Sequence, residues 1–317
     1  MQGLIGVTRI YWKHAAILLA TGMLFPLAAL HSGAQDRPKR PRITGIDHVR
    51  LYVTDIGKAN AFYAKLMGNL PTKTAYGCRT ASLPCFPVNT HQQIELQQVS
   101  WLTPKNWLAE VAYTTDNVEQ MRGYLREHKV GVTSITKDPN GARHFELHDP
   151  EGNPLSFIQR AEGDVDWCST NNRVGTDLLH AGFVVKDTAA ENRFYVDLLG
   201  FKLYWYGGFK DDGLDWYEIQ VPDGDNWIEY MLNIPANAVH KELGVQNHFS
   251  LGARDIHAAA EQLRQNGVKE IAGPGIGRDG KWGLNAYDPD GTRVEVMEFT
   301  PAKSPCCHAY TAPHPTP

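Results

Sequence analysis

Short apolar runs alternate with amphipathic stretches along most of the chain. Residues 46–68 read IDHVRLYVTDIGKANAFYAKLMG, and residues 178–200 read LLHAGFVVKDTAAENRFYVDLLG. Each opens with a strand-like apolar run, reaches an aspartate that starts a helix, and stops at glycine. The segments that follow hold short apolar runs separated by Gly, Asp, Asn and Pro, a pattern of strands and turns.

The two stretches are copies. His48 matches His180, Asp55 matches Asp187, Phe62-Tyr63 matches Phe194-Tyr195, and Gly68 matches Gly200, all at one offset. Ile94-Glu95 then matches Ile228-Glu229, and Asp149-Pro150-Glu151-Gly152 matches Asp288-Pro289-Asp290-Gly291. The offset grows slowly, as loop insertions require. A fainter copy lies within each half: His180 to Asp187 resembles His248 to Asp255, which also leads into a helical stretch. The repeating unit is therefore a strand, a helix and about three more strands, present four times.

Before the repeats, Arg9 and Lys13 precede the apolar run Ala15–Leu30, and Ser32-Gly33-Ala34 places small side chains ahead of Gln35. This is the pattern of a secretory signal peptide over 1–34. The run is short for a membrane span and contains Pro26. The expected domains are a linker over 35–42, a first domain over 43–162, a linker over 163–176, a second domain over 177–300 and a tail over 301–317. Export, to a periplasm or beyond the cell, implies an oxidising compartment. Cys78 and Cys85 have the spacing of a small closed loop, and Cys168 has Cys306 or Cys307 as partners, without spacing alone fixing the pairs.

Composition narrows the function. The chain has 317 residues, 42% hydrophobic and 21% charged, and a formal charge of −4. That mix excludes disorder and coiled coil, and no positive field points to nucleic acid. No membrane contact is expected after cleavage.

The repeated unit, with its histidines and glutamates, resembles the vicinal oxygen chelate superfamily, which includes glyoxalase I, extradiol dioxygenases and bleomycin-resistance proteins. The resemblance covers residues 43–300. It implies an α+β fold in which four βαβββ units pair into two cup-shaped mixed-sheet domains, with a metal on the concave side. It also implies a small-molecule substrate and either a monomer or a homodimer, and its ligand positions fall early in the first strand and late in the fourth strand of each unit. In the second half they carry His180, Glu229, His248 and Glu295, in the runs LLHAGFVV, NWIEYML, NHFSLGA and RVEVMEF. Taken singly, a His or Glu in a strand is more often a hydrogen-bonded or surface residue than a ligand. Four at matching spacing imply one divalent ion, with Zn, Fe, Ni, Co and Mn all suited to such ligands. Glu229 and Glu295 are the catalytic candidates, as carboxylates able to accept a proton.

In the first half the same places carry His48, Glu95, Glu110 and Ser156. One residue of slip puts Ala109 or Val111 in place of Glu110, and Ser156 replaces a carboxylate outright. The first domain is thus expected to have a degenerate site. Candidate substrate contacts in the second domain are Arg278, Lys281, Tyr287 and Asn285. Tyr204-Trp205-Tyr206, Trp216-Tyr217 and Trp227 are either core or an aromatic pocket wall. Gly273-Pro274-Gly275-Ile276-Gly277 reads as a loop over the site rather than a phosphate loop, because no helix follows it.

The resemblance implies glyoxalase- or epimerase-like proton transfer, by an isomerase or lyase. Its alternatives are an Fe(II) extradiol dioxygenase using His180, His248 and Glu295, and a ligand-sequestering protein without catalysis. Glu229 fits the first. Against the second, the one further histidine between His248 and Glu295 is His257, on a predicted helix.

Overall fold

A computed structural model describes residues 39–68, 83–102, 107–161 and 173–317. The expected signal peptide, Cys78 and Cys168 lie outside the described residues. Residues 38–317 form one compact unit.

Two mixed sheets make up that unit. In the first half, β1 (Ile43–Val53), α1 (Ile56–Leu66), β2 (Cys85–Pro87) and β3 (Gln93–Gln98) form one repeat. Then come β4 (Leu108–Thr115), α2 (Val118–Glu127), β5 (Thr136–Lys137), β6 (Arg143–His148) and β7 (Pro154–Gln159). Together they form a sheet in the order β2-β3-β1-β4-β7-β6-β5. The second half runs β8 (Asp177–Val184), α3 (Thr188–Asn192, continuing as a π-helix over Arg193–Leu198), β9 (Lys202–Gly207), β10 (Trp216–Gln220) and β11 (Trp227–Met231). The connecting α4 (His240–Gln246) leads to β12 (His248–Ala253), α5 (Ile256–Gln265), β13 (Ile271–Ile276), β14 (Trp282–Tyr287) and β15 (Arg293–Glu298). That sheet has the order β13-β14-β15-β12-β8-β11-β10-β9. Successive units therefore pair within each half, as the α+β expectation required.

Each major helix begins where its cap residue falls. Asp55, Asn117, Asp187 and Asp255 all accept backbone N–H bonds from the first turn. The glycines after α1 and after the π-helical segment, Gly68 and Gly200, take φ of 83° and 78°, which other residues adopt only with strain.

The repeated motifs join the two domains reciprocally. The Ile46 N–H donates to Asn226 Oδ1 at 2.9 Å, and the equivalent Leu178 N–H donates to Gln92 Oε1 at 2.8 Å. Tyr63 donates to Asp288 at 3.1 Å, and Tyr195 donates to Asp149 at 3.3 Å. Thus the Phe-Tyr of each helix meets the Asp-Pro turn of the other domain. The buried apolar residues of both halves merge into one core.

One junction is acid-rich. Glu191 is fully buried and its Oε2 has no partner. Burial, then the charge of Asp149, pushes its carboxyl up to about 8, while burial pushes Asp149 up to about 6. A raised carboxyl favours folding below its unfolded value, and that contribution is lost as pH rises through about 8. Glu191→Gln is therefore expected to gain at least about 1 kcal/mol over the native chain at pH 8.5 and little at pH 4. Urea unfolding at the two pH values measures the difference.

Residues 301–317, expected as a tail, pack on the second domain as a strap. Trp205 Nε1 donates to His308 O at 3.0 Å, the Thr311 N–H donates to Tyr204 O at 2.9 Å, and Gln220 Nε2 donates to Pro313 O at 3.1 Å. Cys306 and Cys307 are bonded to each other. This corrects the expectation that either would pair with Cys168. Cys85 is also disulfide-bonded.

Candidate metal centre

The second cup brings all four expected residues to one place. His180 on β8 lies opposite Ser250 of β12, and His248 opens β12 opposite Gly182. Gly182 makes this possible: a Cβ there would sit 2.0 Å from Cε1 of His248. Parallel pairing sets Glu229 beside Gly182 and Glu295 beside Ser250. Nε2 of His180 is 3.0 Å from Nε2 of His248 and 3.4 Å from Glu295 Oε2. Glu229 Oε2 is 3.1 Å from Nε2 of His248 and 3.9 Å from that of His180.

The ligand atoms of His180, His248 and Glu295 all lie within 4.8 Å of one another. Glu229 flanks this group on the His248 side. His248 is fully buried, and burial, then the Arg293 charge, lowers its imidazole to about 4. With Nδ1 bonded to Gln246 O at 3.2 Å, its Nε2 lone pair faces the centre. Burial alone would push the Glu229 and Glu295 carboxyls up. The His180, His248 and Arg293 charges, and hydrogen bonds to the histidines, outweigh it and hold both below the usual range. Two neutral-capable imidazoles and ionised carboxylates converging on one point fit a divalent ion. A second cluster, Asp211 with Cys306 and Cys307, has its sulfurs tied in the disulfide and offers no thiolate.

A cavity of about 260 Å³ opens over the centre. Trp205, Trp216, Glu218, Arg278, Asp279 and Arg293 are among its lining residues. Three of these, Glu218, Asp279 and Arg293, were not legible as site residues. Glu218 pairs with Glu229 across β10 and β11, its Oε2 is buried without a partner, and burial, then the Glu229 charge, pushes its carboxyl well up. Arg293, two positions before Glu295, reaches within 2.6 Å of Nε2 of His248.

The expected substrate contacts divide. Arg278 lines the cavity. Asn285 lies opposite Glu295 in the sheet, with Oδ1 buried and unpartnered, and is not among the residues that line the cavity. Lys281 does not face the cavity. It is buried under the aromatic cluster, 4.4 Å above the Trp227 ring, and donates to Tyr204 at 3.1 Å. Burial pulls its ammonium below the ordinary lysine value despite Glu218 and Asp279. Tyr287 lies at the end of β14, in grooves lined by Lys269, Glu270 and Pro289. Of the aromatics, Trp205 and Trp216 form wall, whereas Tyr204 and Trp227 are core. The glycine-rich segment proves to be mostly strand β13, not a loop, and only Gly277 reaches the cavity.

The first cup holds its four residues in the same registers. Arg50 lies opposite Glu110 and beside Glu95, and Ala112 lies beside Ser156, so Glu110 occupies the His248 position. The Gly182 position carries Arg50. Its guanidinium bonds Glu95 at 2.6 Å and also Glu110. His48 Nε2 is 3.7 Å from Glu95 and 3.8 Å from Glu110. Burial would lower His48, but the Glu95 charge, the bond to Asp47 and Glu110 raise it to about 9. A protonated imidazole offers no lone pair, and an arginine stands among the carboxylates in place of an ion.

Residues 177–296 match the Glyoxalase/Bleomycin resistance protein/Dioxygenase superfamily. Among curated proteins none matches the chain. Similar solved structures include the 2,3-dioxygenase LapB from Pseudomonas sp. KL28 (15% identity, 88% of this chain and 96% of that one, TM-score 0.61). A Mn(II)-bound glyoxalase from Novosphingobium aromaticivorans shares 20% identity over 81% of this chain and 83% of its own, at TM-score 0.59. Homoprotocatechuate 2,3-dioxygenase from Brevibacterium fuscum, in complex with 3,4-dihydroxyphenylacetate, shares 18% over 82% of each chain, at TM-score 0.58. The last three likenesses establish the two-domain fold.

Proposed function

We propose that this chain, whose second domain belongs to the glyoxalase superfamily, is a metal-dependent enzyme for a small substrate with neighbouring oxygens. Its reaction is proton transfer, of the isomerase or lyase kind. His180, His248 and Glu295 would hold one divalent ion, which when bound would supply a Lewis acid for the substrate oxygens. The observation that carries the reading is Glu229, an ionised carboxylate 3.1 Å from His248 at the edge of the three-ligand group. There its carboxylate is placed to accept the substrate proton and return it to the neighbouring carbon. Trp205 and Trp216 shield the reacting atoms from water, and Arg293 sets a positive charge beside the carboxylates.

A second reading, an Fe(II) extradiol dioxygenase, is favoured by the compact group being two histidines and one carboxylate. It lacks a further histidine among the cavity-lining residues, and His257 instead packs on Trp282 from α5.

Elemental analysis of residues 35–317, beside Glu229→Ala, separates these. The proposal expects about one Zn, Ni, Co or Mn per chain, with affinity reduced about 10–100-fold in the variant. About one Fe, retained in the variant together with oxygen uptake on catechols, favours the dioxygenase. No metal even after reconstitution leaves a sequestering protein.

The mature chain is further proposed to work outside the cytoplasm, on the composition of residues 1–34 and the bond between Cys306 and Cys307. N-terminal sequencing of exported protein is expected to start at Gln35; a cytoplasmic chain starting at Met1 refutes it. No helix among the described residues is long and apolar enough to cross a membrane.

A further inference from the structure

The cavity over the metal centre does not end at its polar lining. Trp216 lines it, and the Trp216 ring lies 4.6 Å from the ring of Phe209. Phe209 is 74% exposed, and Leu214 of the same loop is 42% exposed. The Phe209 ring therefore connects the cavity wall at Trp216 to the outside of the loop between β9 and β10.

That exposure is built by the loop. The Phe209 N–H donates to Asp215 Oδ2 at 2.9 Å, and the Asp215 N–H donates to Gly207 O at 2.8 Å. The two arms of the loop touch so closely that a Cβ on Gly208 would lie 2.5 Å from the carbonyl carbon of Gly213. From the opposite wall, Arg278 Nε donates to Gly208 O at 3.1 Å, and its Nη2 pairs with Asp211 at 2.5 Å. These contacts hold a large aromatic outward beside the pocket, where its ring is placed to meet a ligand.

Size points the same way. About 260 Å³ is below the usual range of roughly 300–1,000 Å³ for pockets that enclose a ligand. Such a volume suits a small oxygen-bearing head group, and Trp216 is the lining residue that touches the exposed Phe209.

We propose that the substrate carries an uncharged apolar arm beyond its metal-facing oxygens, and that Phe209, with Trp216, selects for that arm. The inference rests on the metal-centred reading above and adds a substrate class to it: small molecules with a chelating head and an aliphatic or aromatic tail. Phe209 is a specificity residue, remote from the reacting atoms.

Alkylhydroxamic acids test it, because their head presents two neighbouring oxygens and their chain length is free to vary. Isothermal titration of metal-loaded protein would compare acetohydroxamate with its homologues up to octanohydroxamate. Burial in a half-open groove is expected to lower Kd about twofold per methylene, or about 50-fold across the series. In Phe209→Ser the gain is expected to fall below about fivefold, with acetohydroxamate binding unchanged. Phe209→Leu is expected to keep most of the gain, which a merely structural role for the ring would not predict. A series with no length dependence in the native chain, or one undiminished in Phe209→Ser, overturns the arm while acetohydroxamate binding leaves the metal reading intact. If metal-loaded protein binds no member of the series, the metal-centred substrate reading fails, and this inference with it.

Discussion

His248→Ala is expected to reduce bound metal from about one ion per chain to well under one, and turnover by more than about 100-fold. The imidazole is fully buried, and its Nε2 lies within 3.1 Å of both Nε2 of His180 and Glu229 Oε2. Its removal takes one of two nitrogen donors from the compact ligand group. What remains is His180 with carboxylates already drawn toward Arg293, an arrangement with one neutral donor instead of two. The sheet itself does not depend on the ring, because β12 is held by backbone pairing to β8 and β15. Circular dichroism is therefore expected to match the native chain while elemental analysis and turnover collapse. Ligand binding that survives the loss of metal would instead identify a sequestering protein.

The second large effect is expected in the first cup, from Arg50→Met. The guanidinium there is nearly buried and neutralises Glu95 and Glu110, both of them inaccessible to solvent. Methionine keeps much of the volume and removes the charge, leaving two buried carboxylates without the guanidinium that bonds both. Breaking one side of a buried pair costs about 3–5 kcal/mol. Arg50→Met is expected to lose that much, whereas Arg50→Met with Glu95→Gln and Glu110→Gln is expected to recover most of it. Urea denaturation of the three proteins makes the comparison. A single variant as stable as the native chain would show that the network contributes nothing. The same network is expected to weaken in alkali. A raised histidine stabilises below its unfolded value, and that contribution is lost as pH rises through about 9.

The cups differ at one repeated position. Position 182 is glycine, so the His248 ring fits beneath β8. Position 50 is arginine, whose guanidinium bonds both Glu95 and Glu110, whereas the arginine of the second cup, Arg293, reaches His248 from β15. Gly182 and Arg50 stand two places after the repeated histidine, in HAG and HVR, and the difference is visible when the two repeats are aligned.

Periodicity and self-similarity along the chain pointed to the four units and to the aspartates that start three of the helices, whereas the four residues of the second cup were named only through the family resemblance. The units and their caps depend on local rules: a strand alternates sides every residue, a helix starts at its cap, and a duplicated sequence repeats its fold. The register of β4 against β1 also upheld Glu110 over its neighbours. Alternation gives the face of a strand but not how far along it a cavity reaches. Asn285 and Tyr287 share a strand and a parity, yet only Asn285 lies opposite a ligand, Glu295. The burial of Lys281 depends on Tyr204 and Trp227, more than fifty residues earlier, and on a strap that closes over them. The bond between Cys306 and Cys307, and the display of Phe209 at the mouth, likewise follow from how that strap and the Arg278 wall meet the loop after β9. Such contacts are fixed by packing between distant segments, which no local pattern encodes, and they decide the shape of the site once its ligands are in place.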